Sequence, residues 1–114
     1  MTIKLYHNPR CSKSRQTLAL LQQRGYQPDI VKYLETPPDA DTLKRIIAAL
    51  GLSAHELIRQ GESAYKELGL TPELPESRLI EAMLAEPRLI QRPIVINGDR
   101  ARIGRPPEAV LEIL

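Results

Sequence analysis

The 114-residue chain has a single cysteine, Cys11, and so cannot close a disulfide within itself. Its opening Met-Thr-Ile-Lys-Leu-Tyr also has neither a basic leader nor an apolar run of signal-peptide length. Both features point to a reducing, cytoplasmic home. Long apolar runs are missing too. Charges and prolines interrupt every stretch well short of the roughly 20 residues that span a bilayer, so no membrane partner is expected. Charge of one sign is scarce: 16 Lys and Arg against 14 Asp and Glu leave a net charge of +2. That is far from the dense positive field a nucleic-acid partner demands. The two histidines, His7 and His55, show no ligand spacing with Cys11, and no metal site is expected. Repeats and low-complexity tracts are absent, and the length suits one domain over residues 1–114 with one modest core.

What is present reads as an α/β chain. Ile3 and Leu5 alternate with polar neighbours up to Asn8-Pro9, which suits a first strand ending in a turn. A helix from about Ser12 would carry Leu18, Leu20 and Leu21 inward and stop at Gly25. The run from Asp29 to Leu34 then gives a second strand, and strand, helix, strand implies a parallel pair. Residues from about 39 to 86 read as a helical insertion. Leu43, Ile46, Ile47 and Leu50 form one helical stripe before Gly51, and Ser53 to Glu56 has capping-box spacing. A short helix with Tyr65 and Leu68 ends at Gly69, and a further one with Leu79, Ile80, Met83 and Leu84 halts before Pro87. Ile94-Val95-Ile96, Asn97-Gly98-Asp99 and a run through Ile103 predict a hairpin. Pro106-Pro107 then opens a closing helix with Val110, Leu111 and Leu114. The expected fold is β-α-β, helical insertion, β-β-α, a mixed four-stranded sheet of thioredoxin-like arrangement.

The chemistry concentrates in His7-Asn8-Pro9-Arg10-Cys11-Ser12-Lys13-Ser14-Arg15, where the first strand hands over to the first helix. A thiol at a helix N-terminus meets unpaired N–H groups and the positive end of the dipole, which favour its thiolate. Arg10, Lys13 and Arg15 add positive charge, so the Cys11 pKa should fall and its nucleophilicity at neutral pH should rise. Ser12 and Ser14 can offer hydroxyls, and Arg15 a charge, to an oxyanion held there. A buried, inert Cys11 is the competing reading, and a segment with three cations is a poor place for an apolar plug.

The pattern His7-Asn8-Pro9-x-Cys11-x-x-Ser14-Arg15 resembles the active-site loop of the glutaredoxin-coupled arsenate reductases. Leu57-Ile58-Arg59, Leu89 to Val95 and Arg102 to Pro106 resemble, in the same order, the segments through which that family supplies three arginines. The resemblance implies an arsenate clamp of Arg59, Arg92 and Arg105, and a His7 that helps keep Cys11 ionised. It also implies a cis Pro93 opposite the cysteine as a structural element, no bound cofactor, and glutathione as co-substrate followed by glutaredoxin as partner. The implied activity is reduction of arsenate to arsenite through an arsenate thioester on Cys11. Where the family has Cys-Gly-Thr-Ser-Arg, this chain reads Cys11-Ser12-Lys13-Ser14-Arg15. The other arsenate reductase design, with a Cys-x5-Arg loop and shuttle cysteines, is excluded by the cysteine count and by the spacing from Cys11 to Arg15. Two alternatives stand beside it. One is a general monothiol oxidoreductase acting on another oxyanion or a glutathionylated thiol. The other is a non-enzymatic regulator of the same fold family that binds RNA polymerase, although Ser14 stands where such proteins carry a second cysteine.

Overall fold

Ile3, Leu5 and Tyr6 are buried and Lys4 is exposed, so the first strand turns one face to a core. The computed structural model describes residues 2–114. It divides into two compact units: the residues up to Thr36 together with Arg92–Leu114, and Pro37–Gln91.

The first unit holds a four-stranded sheet in the order β2-β1-β3-β4. Its strands are β1 (Ile3–Tyr6), β2 (Asp29–Val31), β3 (Ile94–Asn97) and β4 (Arg100–Ile103). β1 runs parallel to β2, pairing Leu5 with Ile30, and antiparallel to β3, pairing Leu5 with Val95. β3 and β4 form the expected hairpin, with Asn97 opposite Arg100. The turn residues are Gly98 and Asp99, and glycine at the first of these takes the positive φ of 66°. Helix α1 (Ser12–Gln23) links β1 to β2 and ends before Gly25, whose φ is 85°. Ile3, Leu5, Leu21, Val95, Val110 and Ile113 make the core, with Leu18, Leu20, Tyr26 and Leu114 packed around it. Each fully buried aliphatic side chain contributes about 1.5–3 kcal/mol.

Two sequence expectations are corrected here. β2 stops at Val31, not Leu34. The Lys32 carbonyl accepts the N–H groups of Glu35 and Thr36, both at 2.9 Å, which bends the chain into a turn and leaves Tyr33 only 1 % exposed. The closing segment Pro107–Ile113 is a 3-10 helix, not an α-helix, opened by Pro107 in its first turn.

The second unit is helical. α2 (Ala40–Leu50) is capped by Asp39, whose carboxylate accepts the Thr42 N–H at 2.8 Å, and closes on Gly51 at φ 71°. Ser53 and Glu56 cap one another as their spacing predicts: Ser53 N–H donates to Glu56 at 2.9 Å and Glu56 N–H to the Ser53 hydroxyl at 3.3 Å. They introduce a 3-10 turn at His55–Leu57. α3 (Ser63–Glu67), α4 (Glu76–Ala85) and a 3-10 turn at Pro87–Leu89 follow, and Ile58 bridges to Ile90. Among the described residues no helix is long and apolar enough to cross a membrane.

Candidate active site around Cys11

β1 delivers the chain to residue 7 at one end of the sheet, where the His7 N–H donates to the Val31 carbonyl at 2.9 Å. The loop that follows is fixed by its own polar groups. Asn8 accepts the Cys11 N–H on its carbonyl and the Arg10 N–H on its side chain, both at 3.0 Å. Arg15 reaches back to donate to the Pro9 carbonyl at 2.9 Å. Cys11 thereby lands at the N-cap of α1 with extended backbone, and the first turn of that helix carries no acidic residue.

Cys11 is half-buried, and its thiol pKa lies below the ordinary 9.0. Burial pushes it up; the Ser14 N–H, the Arg92 side chain, the Lys13 N–H and the charge of Arg92 together more than reverse that. The helix N-terminus and one guanidinium are thus the groups that favour the thiolate. Arg105 approaches as well, its guanidinium 3.6 Å from the sulfur. Arg105 is steered there by a second contact, its Nε donating to the Arg92 carbonyl at 2.8 Å.

Both arginines precede prolines, and the Arg92-Pro93 and Arg105-Pro106 bonds are both cis. The Gly104 N–H donates to the Pro93 carbonyl at 2.9 Å, which ties the two segments together. A Cβ on Gly104 would sit 2.5 Å from the Thr17 hydroxyl and 2.8 Å from Pro93 Cγ, so only glycine fits between α1 and the proline.

The remaining expected site residues have distinct surroundings. His7 is 5 % exposed, and its Nδ1 lies 2.6 Å from the Ser14 hydroxyl. Burial first, then Lys32 and Arg15, lower its pKa, so the imidazole is neutral at pH 7. Ser14 is fully buried, and its hydroxyl also accepts the Asn8 N–H at 3.0 Å. Ser14 has contacts toward both: its side chain meets the imidazole, and its N–H is among the groups that lower the Cys11 pKa. Ser12 is exposed at the first position of α1, and Arg15 is exposed as well. Arg59 belongs to the second unit. Its N–H donates to the Leu89 carbonyl at 2.7 Å, and its guanidinium meets Glu62 only loosely, at 3.8 Å. Among the described residues no group of three or more His, Cys, Asp or Glu side chains could hold a metal ion. Sequence reasoning missed Gly104 and the double task of Asn8. The first had no local signal, and the second was visible only as an Asn-Pro turn.

A family model described as the ArsC family matches residues 6–113. YfgD of Escherichia coli K12, whose name carries no activity, is 57 % identical over 98 % of this chain and 96 % of its own length. An arsenate reductase of Neisseria meningitidis is 48 % identical over 98 % of this chain and 97 % of its own. The solved structure of an arsenate reductase from Vibrio cholerae superposes with a TM-score of 0.97 and 51 % identity, covering 100 % of this chain and 98 % of that one.

Proposed function

We infer that this chain, which belongs to the ArsC family, reduces arsenate to arsenite through Cys11. One observation carries the reading: the sole cysteine caps a helix free of acid, its pKa is lowered, and the Arg105 guanidinium lies 3.6 Å from the sulfur. A thiolate beside fixed positive charge is suited to an electron-poor centre dressed in anionic oxygens. Arginine grips two such oxygens with a planar fork and neutralises the charge that would otherwise repel the sulfur.

In the proposed mechanism the Cys11 thiolate attacks arsenic, forming an S–As bond while an As–O bond breaks. The departing oxygen takes up protons and leaves as water, giving an arsenate thioester. Reduction of arsenic from +5 to +3 needs two electrons, and Cys11 is the only cysteine of the chain. They come from outside: a glutathione thiolate attacks the Cys11 sulfur, forming an S–S bond as the S–As bond breaks and its electron pair leaves with arsenic as arsenite, and a glutaredoxin thiolate then takes the glutathionyl group, freeing the Cys11 thiolate. Arg92 and Arg105 bind the anion, Ser12 and Arg15 lie at the helix mouth, and His7 positions Ser14. The likeness of Leu57-Ile58-Arg59 to its family counterpart brings in Arg59 as a third arginine for the anion.

The test is arsenate-dependent NADPH consumption with glutathione, glutaredoxin and glutathione reductase. Wild type should turn over and Cys11→Ser should not. Equal rates for the two at saturating arsenate sink the assignment, and Arg59→Ala with wild-type turnover at limiting arsenate removes that residue from it.

A further inference from the structure

Among the described residues of the first unit, the Tyr33 phenol is a fully buried polar side chain that the loop wiring leaves unused. Its side chain is 1 % exposed, and its hydroxyl has no hydrogen-bond partner among the described residues. Leaving a buried hydroxyl unsatisfied costs about 1–3 kcal/mol, so such a group needs an explanation. Tyr33 follows β2 by two residues, and β2 runs parallel to β1, which delivers Cys11. Arg92 precedes β3 and Arg105 follows β4. Since Tyr6 pairs with Val31 and with Ile94, and Ile94 pairs with Ile103, all four residues lie beyond the same end of the sheet.

We propose that the Tyr33 hydroxyl is a further binding group of this site, donating a hydrogen bond to a tetrahedral oxyanion held between Cys11, Arg92 and Arg105. It rests on the reading of Cys11 as the centre of an oxyanion site. The electrical surroundings of the phenol agree. Burial pushes its pKa up to about 12; the Arg92 guanidinium, by its charge and by lying near hydrogen-bonding reach without the geometry of a bond, and the charge of Arg105 pull the other way, while Cys11 adds to the rise. A phenol in that state keeps its proton at every physiological pH, so it is a neutral donor. Two guanidiniums supply charge and paired cationic donors. A single fixed neutral O–H adds direction, selecting an oxygen that can accept along one line. Filled by the anion, the hydroxyl is satisfied; without it the hydroxyl carries a cost, and the difference appears as affinity.

Iodoacetamide labelling tests this cleanly, because Cys11 is the only cysteine. The probes are arsenate, phosphate and sulfate as protectants of Cys11, in wild type and Tyr33→Phe. The variant keeps the ring and removes one oxygen. Its thermal midpoint should equal or exceed that of wild type, and its labelling rate without anion should be unchanged. The arsenate concentration giving half protection should rise about five- to tenfold, the worth of one ordinary hydrogen bond. Half protection at the wild-type concentration overturns the Tyr33 assignment alone. A lowered midpoint with faster or slower labelling in the absence of anion overturns it too, since that marks a structural role. No protection of wild type by any of the three anions overturns both this inference and the oxyanion site beneath it.

Discussion

Strand β4 and the residues after it carry arginines with opposite fates. Arg102 donates from Nε to the Glu112 carboxylate at 3.0 Å and from its Nη1 to the Ala101 carbonyl at 2.9 Å, while Arg100 reaches the Glu112 carbonyl at 3.3 Å. Arg105, beyond the end of the strand, meets no carboxylate among the described residues; its contacts are a carbonyl and the Cys11 sulfur. The sheet edge thus gives Arg102 a carboxylate, whereas Arg105 has none and lies at the thiol. Positive charge in a sequence does not by itself mark an anion site; a guanidinium without a carboxylate, fixed beside a thiol, is a candidate for one.

Removing the Arg105 charge should produce the largest loss. Arg105→Ala should weaken protection of Cys11 by arsenate by about 1.5–3 kcal/mol, or about tenfold to a hundredfold in half-protecting concentration. Arg92→Ala should do the same and also move the thiol. The Arg92 side chain is among the groups holding the Cys11 pKa below 9.0, so the midpoint of alkylation rate against pH should shift upward toward 9.0. An Arg92→Ala profile that overlays wild type would show the helix N-terminus to be sufficient for the thiolate.

Gly104→Ala comes next. It presses a methyl group into the Thr17 hydroxyl and Pro93, between the two cis-proline segments that carry the arginines. Neither neighbour is the loose end of a long side chain, so the backbone must shift, at about 1–3 kcal/mol of stability. Arsenate protection should weaken in parallel although every charge remains. Denaturant midpoints with an unchanged slope would measure the first effect, and labelling at saturating native-state occupancy the second. An alanine variant as stable and as readily protected as wild type would mean that the arginines do not depend on this contact for their position.

Gly104 also marks the boundary of what sequence can convey. The order of elements, the stops at Gly25, Gly51 and Gly69 and the reciprocal Ser53-Glu56 cap were legible because each depends on residues a few places apart. Cys11 at the head of α1 was legible for the same reason. The fate of Ser14 was not. Its hydroxyl could face an anion or the loop, and the choice lies with His7 and Asn8, which take it at 2.6 and 3.0 Å. Tyr33 was hidden by a misplaced strand end: read as the fifth residue of a strand, it seemed one more sheet side chain, whereas β2 stops at Val31 and the turn at Lys32 buries it. Gly104 carries no local signal at all, because the atoms that exclude a side chain come from Thr17 and Pro93, 87 and 11 positions away (104 − 17 and 104 − 93).

The smallest expected effect is the one that makes the contrast between the arginines sharp. Arg102→Ala removes a guanidinium of the same charge as Arg105 from the same stretch of chain, three residues earlier. Its ion pair with Glu112 is exposed, the two side chains being 42 % and 66 % accessible, so screening by water limits the loss to about 0–1 kcal/mol of stability. Long-range attraction of an anion would fall slightly at low salt, and no further at physiological ionic strength, where charges more than about 8 Å apart are largely screened. Arsenate protection should therefore be unchanged at 0.15 M salt while Arg105→Ala loses most of it. Should the two variants lose protection equally, net charge rather than placement would govern capture, and a fixed guanidinium beside the sulfur would explain nothing that a generally basic surface could not.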